Sequence, residues 1–257
     1  DKFPGEADAL GVYATTLAVA GRLDEARGLA EEALALAEGE DTLAGLAKVV
    51  ALQGDLPHAI ELYQRSLDRA PERRRPLRRA AIGLLSWAHG EVAAARAAVQ
   101  PCMPLGADAH SPHRGACLFV AGVVDPTWTA AAIAQLDGLA AAATPVAPAY
   151  GDPAQLAGLL RARQQLDGGG CLRPPPPPRA APDRATLEPL LTAPPDFYAV
   201  YHVPLFASWA TCERAALAAA TGAPADAVAI LEPVATRAPN RWWLLDDLER
   251  WRAGAAP

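Results

Sequence analysis

The sequence predicts an all-α chain, an α-solenoid of stacked helical hairpins interrupted by a Gly/Pro-rich loop. Alanine is in visible excess while aromatics make up only 6% of residues, a balance that suits closely packed helices better than a sheet. A short phrase recurs at matching internal offsets, the signature of a repeat architecture. No stretch offers the apolar–polar alternation of a half-buried strand.

The phrase is a glycine, a few mostly polar residues, then alanine on an amphipathic run. Its first copy reads Gly21-Arg22-Leu23-Asp24-Glu25-Ala26 and continues through Leu29, Ala30, Ala33 and Leu34. Its second reads Gly54-Asp55-Leu56-Pro57-His58-Ala59, continues through Leu62, Tyr63, Ser66 and Leu67, and ends at Pro71. Antiparallel helices joined by a tight turn require these types at this spacing. Glycine reverses the chain through positive φ. Alanine lies where two helices press together, the aliphatic and aromatic positions that follow form the stripe over the first helix, and proline stops the pair.

These residues resemble the tetratricopeptide repeat (TPR) family, and the resemblance is that of a bacterial TPR-containing protein. In the family's roughly 34-residue frame, Gly21, Ala26, Ala30 and Ala33 match the small or apolar positions of one repeat, and Gly54, Ala59, Tyr63 and Pro71 those of the next. A looser third copy has Ile82-Gly83 at the Leu-Gly position, Ser86 where an aromatic is usual, and Gly90 to Ala95 as turn and packing alanine, with Pro101 cutting the second helix short. A fourth places Gly222, Ala227, Leu231, Val234 and Pro239 at the same offsets, although Thr211 and Arg214 stand where its first helix should be apolar.

Between the third and fourth copies the signature is absent. Helices are expected over Arg114 to Val124, Thr127 to Ala143 and Pro153 to Leu166, with Asp125-Pro126 and Asp152-Pro153 as capped starts. The tract Gly168 to Gly170 followed by Pro174 to Pro178 cannot be helix and is expected to act as a spacer. The last helix, Arg241 to Arg252, presents Trp243, Leu244, Leu248 and Trp251 at helical spacing, as a capping helix or the first helix of another repeat. The expected organisation is TPR-like repeats over 1–105, irregular helices or degenerate repeats over 106–166, a Gly/Pro-rich linker or loop over 167–195, and a repeat with its capping helix over 196–257.

Charge narrows the partners. With 29 Asp+Glu against 23 Lys+Arg the net charge is −6 and the pI about 5.4, so no global positive field draws in nucleic acid or an anionic membrane. No apolar run reaches the roughly 18 residues of a membrane span. Lys2 and Lys48 are the only lysines, the Arg bias of a G+C-rich genome. The chain begins at Asp1 and its one methionine is Met103, so processing or excision from a longer chain is expected. The preferred compartment is cytoplasmic, with export after loss of a signal peptide as the alternative.

Candidates for chemistry are few. Cys102, His110, His113 and Cys117 carry metal-ligand atoms, but their order matches no familiar zinc module, and no metal or cofactor is expected. A disulfide such as Cys102 with Cys117 is conceivable, yet so apolar a chain does not need one, and free thiols are expected. Arg73, Arg74, Arg75, Arg78 and Arg79 form the densest charge cluster, expected as a solvated turn between repeats and placed where the helix dipole disfavours it. No nucleophile, base and orienting group form a motif, so no catalytic residues are expected.

The resemblance implies an adaptor that binds a protein or peptide in a concave groove lined by the first helix of each repeat. Its groove positions fall on Gly11, Thr15 and Ala18, then Ala44, Lys48 and Ala51, then Ala80, Leu84 and Trp87, with Arg78 and Arg79 at the rim. Trp87 is the expected anchor; the competing place for it is inside its own hairpin. The basic and Asn clamp that chaperone-binding members use for a terminal carboxylate is hinted at only by Lys48. The alternative function is the ligand-sensing region of a larger bacterial signalling protein, a kinase or transcription activator.

Overall fold

The computed structural model describes residues 4–104, 113–142, 152–165, 204–237 and 242–255, and among them there are helices but no strand. They divide into two compact units, Asp1–Val124 and Asp125–Pro257. The Gly/Pro-rich tract expected as a spacer lies outside the described residues.

The first unit is built from α1 (Pro4–Val19), α2 (Leu23–Leu36), α3 (Glu40–Gln53), α4 (Leu56–Arg69), α5 (Arg75–Ala88), α6 (Val92–Val99) and α7 (Arg114–Val124). α1 pairs with α2, α3 with α4 and α5 with α6. α3 also packs on α1 and α2, and α5 on α4, so successive hairpins stack.

Each hairpin turns on the glycine of the repeated phrase. Gly21, Gly54 and Gly90 have φ of 84, 92 and 91°, in the left-handed region where a Cβ is strained. The hydrogen bonds are the same pair each time. Gly21 N–H donates to Ala18 O at 3.1 Å and Arg22 N–H to Leu17 O at 2.9 Å. Gly54 and Asp55 repeat this on Ala51 and Val50, and Gly90 and Glu91 on Trp87 and Ser86. This is the Schellman closure, which satisfies carbonyls that a helix end would otherwise leave unpaired. The packing alanines Ala26, Ala59 and Ala95 are each 0% exposed, so the second helix of every pair lies close against the first.

The third hairpin closes tightest. A Cβ built on Gly83 would meet Val99 Cγ1 at 2.4 Å, Val120 Cγ1 at 3.3 Å and Ala95 O at 3.4 Å, so α5, α6 and α7 converge where only hydrogen fits. α6 is short and passes into a 3₁₀ turn at Gln100–Cys102, where Pro101 denies the helix its next amide. α7 is buried at every position and packs on α5 and α6. It belongs to the same compact unit as α1 to α6.

Free thiols are not what the structure holds. Cys102 and Cys117 form a disulfide with Cα atoms 6.1 Å apart, which ties the 3₁₀ turn after α6 to the first turn of α7. Cys212 is disulfide-bonded as well. Apolar content argued only that no disulfide was needed. The return of α7 against the end of α6 places the two sulfurs side by side all the same.

The second unit contains α8 (Thr129–Ala142), α9 (Pro153–Gln165), α10 (Pro204–Ala220), α11 (Pro224–Arg237) and α12 (Trp242–Ala255). The two capped starts hold: Asp125 Oδ1 accepts from Thr127 N–H at 2.9 Å, and Asp152 Oδ1 from Ala154 N–H at 2.9 Å. α8 pairs with α9 and α10 with α11. The α10–α11 turn repeats the first unit's closure: Gly222 has φ 81°, Ala223 N–H donates to Ala218 O at 3.0 Å, and Ala227 is fully buried. α12 packs on α11, Leu248 and Trp251 are buried, and Arg250 lies over the Trp251 ring. Pro239 of the fourth copy lies outside the described residues.

Candidate functional site

The helix face that sequence reasoning nominated is mostly interior. Thr15, Leu84, Trp87 and Arg78 are buried, and Lys48 and Arg79 keep partial exposure. Thr15 turns its hydroxyl back onto Gly11 O at 3.0 Å, a local bond that uses its one donor proton. Trp87 is 5% exposed, which corrects its placement as a groove anchor: it is a core residue of the first unit. The cause is α7. With α4, α6 and α7 all packed on α5, every residue from Pro76 to Trp87 except Arg79 is buried, and a helix enclosed on all sides lines no groove. Leu84 is withdrawn for the same reason.

Arg78 is not on a rim. Its guanidinium is buried and ion-paired with Glu40, Nε to Oε1 being 2.6 Å, and reaches Asp41 Oδ1 at 3.2 Å. Arg74 joins the same carboxylates, at 2.8 Å from Glu40 Oε2 and 2.6 Å from Asp41 Oδ2. Arg75 pairs with Glu72 at 3.0 Å. The expected solvated turn is therefore a lock between hairpins, in which two arginines from the start of α5 clamp the acidic first turn of α3. Charge-assisted hydrogen bonds of this kind are stronger than those between neutral groups.

Local geometry explains why Glu40 and Asp41 are there to be clamped. They sit at the N-terminus of α3, where the helix dipole favours negative charge. The first turn is held by Thr42, whose Oγ1 accepts from Gly39 N–H at 2.9 Å and donates to Ala37 O at 2.7 Å. α4 ties on from the other side, with Ser66 Oγ donating to Glu40 O at 2.8 Å. Arg65 and Arg69 of α4 both reach Glu38 in the loop before α3, at 2.8 and 2.7 Å.

The electrostatics follow from this packing. Burial pushes the Asp41 carboxyl up, but the hydrogen bond from Arg74 and the charges of Arg74, Arg78 and Lys48 outweigh it, and the group ends below the usual carboxylate range. Burial pushes the Tyr63 hydroxyl up to about 12, against the opposing effect of Arg78. Lys48 is the odd member. Two turns along α3 from the acidic pair, it is desolvated and repelled by Arg78, which together outweigh Asp41 and Glu40 and bring its ammonium down to about 8. The acidic oxygens near it are taken by the two arginines, and among the described residues it makes neither an ion pair nor a hydrogen bond.

The sulfur and imidazole set weighed as a metal centre does not assemble as one. Cys102 and Cys117 spend their sulfurs on each other, His110 lies outside the described residues, and no metal-holding group of His, Cys, Asp and Glu occurs among those described. The signal that sequence reasoning passed over was spacing: Arg74 follows Glu40 by 34 residues, about one repeat, which brings equivalent positions of successive hairpins together. No protein-family model matches the chain, and no curated protein is similar enough to count as a match.

Proposed function

We propose that the chain is a non-enzymatic scaffold of the tetratricopeptide type that binds a protein or peptide partner on the α3 side of its first unit. The observation that carries this reading is the recurrence of one hairpin design. At Gly21, Gly54, Gly90 and Gly222 a left-handed glycine is followed five residues later by a fully buried alanine, and the three such hairpins of the first unit pack on their neighbours. A stack of that kind presents a continuous helix surface whose natural use is to lie along an extended or helical partner.

The contact residues in this reading are Lys48 and Arg79, the two members of the nominated set that retain exposure. Both are cations in a chain of net charge −6, so they favour an acidic partner segment. A displayed-peptide selection against the full chain supplies ligands, which are then titrated by calorimetry against wild type, Lys48→Glu and Arg79→Glu. Binding at least tenfold weaker in the variants, about 1.4 kcal/mol, is expected at unchanged melting temperature. Failure of the selection to enrich any sequence rejects the scaffold reading. Undiminished binding in both variants rejects this face.

A further inference from the structure

We propose that Cys102 and Cys117 are an oxidative-folding site: a disulfide donor joins them before α7 docks, and the chain therefore folds in an oxidising compartment. Three observations point there.

The first is what the bond replaces. α2 passes to α3 through residues 37–39 and α4 to α5 through 70–74, links short enough to bring each new hairpin back against the last. α6 passes to α7 through 100–113, after Pro101 has cut α6 short. A longer link loses more chain entropy when it closes. Here the bond spans it, from the 3₁₀ turn at Gln100–Cys102 to the first turn of α7. Beside it the buried guanidinium of Arg114 donates to Pro104 O at 2.8 Å. The crosslink stands in for the short link that the other hairpins have.

The second is enclosure. Cys102 is 1% exposed and Cys117 0%, and α7 is buried at every position, with its Val120 against Gly83 of α5. A catalytic or sensing disulfide must meet its thiol partner at the surface, whereas this one is sealed by the helix it holds. A donor reaches these sulfurs only while α7 is undocked, so the bond is made during folding. The third is that Cys212, in α10 of the other unit, is disulfide-bonded and buried as well. Every described cysteine is thus oxidised, in both units. Structural bonds of this kind form and persist where disulfide donors prevail, and a reducing cytosol keeps such cysteines as thiols.

The donor is itself a disulfide, protein or small molecule. The thiolate of one cysteine attacks a donor sulfur, the donor S–S bond breaks, and a donor thiolate leaves with the electron pair. The second cysteine's thiolate then attacks the cysteine sulfur of the mixed disulfide, and the other donor thiolate leaves. The cysteines are oxidised, the donor is reduced to its thiols, and the protons the cysteines release pass to the donor thiolates. This inference does not depend on the scaffold reading.

The test starts from the full chain, reduced and unfolded in urea. One arm refolds it with glutathione disulfide and reduced glutathione, the other with reduced glutathione alone. Cysteine pairing and trypsin cleavage after Arg114 are read by mass spectrometry. The disulfide arm is expected to yield a linked Cys102–Cys117 peptide and cleavage after Arg114 at least ~10-fold slower than in the thiol arm, because a docked α7 buries that residue. The Cys102→Ser/Cys117→Ser double variant, in which Cys212 can still form its own bond, should be cleaved at the thiol-arm rate in both arms. A second measurement exposes the finished wild-type protein to reduced glutathione, which should open the bond at least ~100-fold faster in urea than in native buffer. A missing linked peptide, equal cleavage of wild type in the two arms, protection of the double variant in the disulfide arm, or equal opening in urea and native buffer overturns the proposal.

Discussion

Gly83→Ala tests the packing of the third hairpin with the smallest possible perturbation, one methyl group. Two effects oppose each other. Alanine is the better helix former, and by removing backbone freedom from the unfolded chain it should stabilise an ordinary helix interior by about 0.5–1 kcal/mol. At this place the methyl lands 2.4 Å from Val99 Cγ1, well inside the ~3.5–4.0 Å at which carbon atoms rest. Val99 is fully buried and β-branched, with essentially one rotamer open to it in a helix, so it cannot rotate away. Val120 Cγ1 at 3.3 Å and Ala95 O at 3.4 Å close the remaining directions. Relief then requires α6 or α7 to shift against α5, and overpacking of that kind costs about 1–3 kcal/mol.

The net expectation is a loss of about 1–2 kcal/mol, read from urea unfolding followed by helical circular dichroism. Val99→Ala alone should also destabilise, but in the double variant the new methyl occupies space the valine vacated. The two changes should therefore couple favourably by about 1 kcal/mol or more in a double-mutant cycle. A Gly83→Ala protein as stable as wild type, or additive losses in the cycle, would show that α5, α6 and α7 do not converge on this glycine.

Trp87→Ala should cost about 3–5 kcal/mol as a cavity-forming change in the core, measured by the same unfolding experiment; a loss under ~1 kcal/mol would return Trp87 to the surface. Cys117→Ser opens a loop closed across a sequence separation of 15. Chain entropy puts its cost near 3 kcal/mol, and wild type in reductant, which also opens the bond of Cys212, should lose at least as much as the variant, whereas insensitivity to both would mean the bond carries no stability. Lys48 gives a pH signature whose sign is fixed by its lowered pKa. Between about 8 and the ordinary 10.5 the unfolded chain holds a proton that the folded one has released, so this group makes stability rise with pH across that window. Lys48→Met should remove that rise and be the more stable protein at pH 7, and a wild-type profile identical to that of the variant would contradict the desolvated setting.

What could be read from residue order was local. A glycine that must take positive φ, followed at five residues by an alanine that must be small, admits one backbone solution, so the turns at Gly21, Gly54, Gly90 and Gly222 were legible without coordinates. So were the capped starts at Asp125 and Asp152, because an acidic side chain and a proline specify the first helical turn by themselves. What failed was everything set by a partner distant in sequence. α7 carries no repeat phrase and was set apart from the hairpins. Yet Arg114 to Val124 is apolar nearly all round, the pattern of a helix enclosed on every side, and that alone placed it in the core. Once α7 covers α5, Leu84 and Trp87 cannot face solvent. The disulfide was named but not preferred for a similar reason, since only the meeting of α6 and α7 decides whether Cys102 and Cys117 touch.

The arginine run shows how a locally unfavourable choice is resolved over distance. At the start of α5 the helix dipole repels cations, and Arg74, Arg75 and Arg78 there would each weaken an isolated helix. One repeat earlier, α3 opens with Glu40 and Asp41, which its own dipole favours. When the hairpins stack, these carboxylates face the arginines, and the fields of the two helix starts are satisfied together: the acids by dipole and guanidinium, the guanidinium groups by acids that outweigh the dipole. The arrangement requires arginine. A planar fork can hold Glu40 while reaching Asp41, as Arg78 does, and it stays charged when buried. Lys48, on the same helix as the acids, has no such fork and finds their oxygens already engaged, so it bears the desolvation alone. The lowered pKa of Lys48 is thus the counterpart of the lock, since the carboxylates that hold the second and third hairpins together are already engaged by arginine.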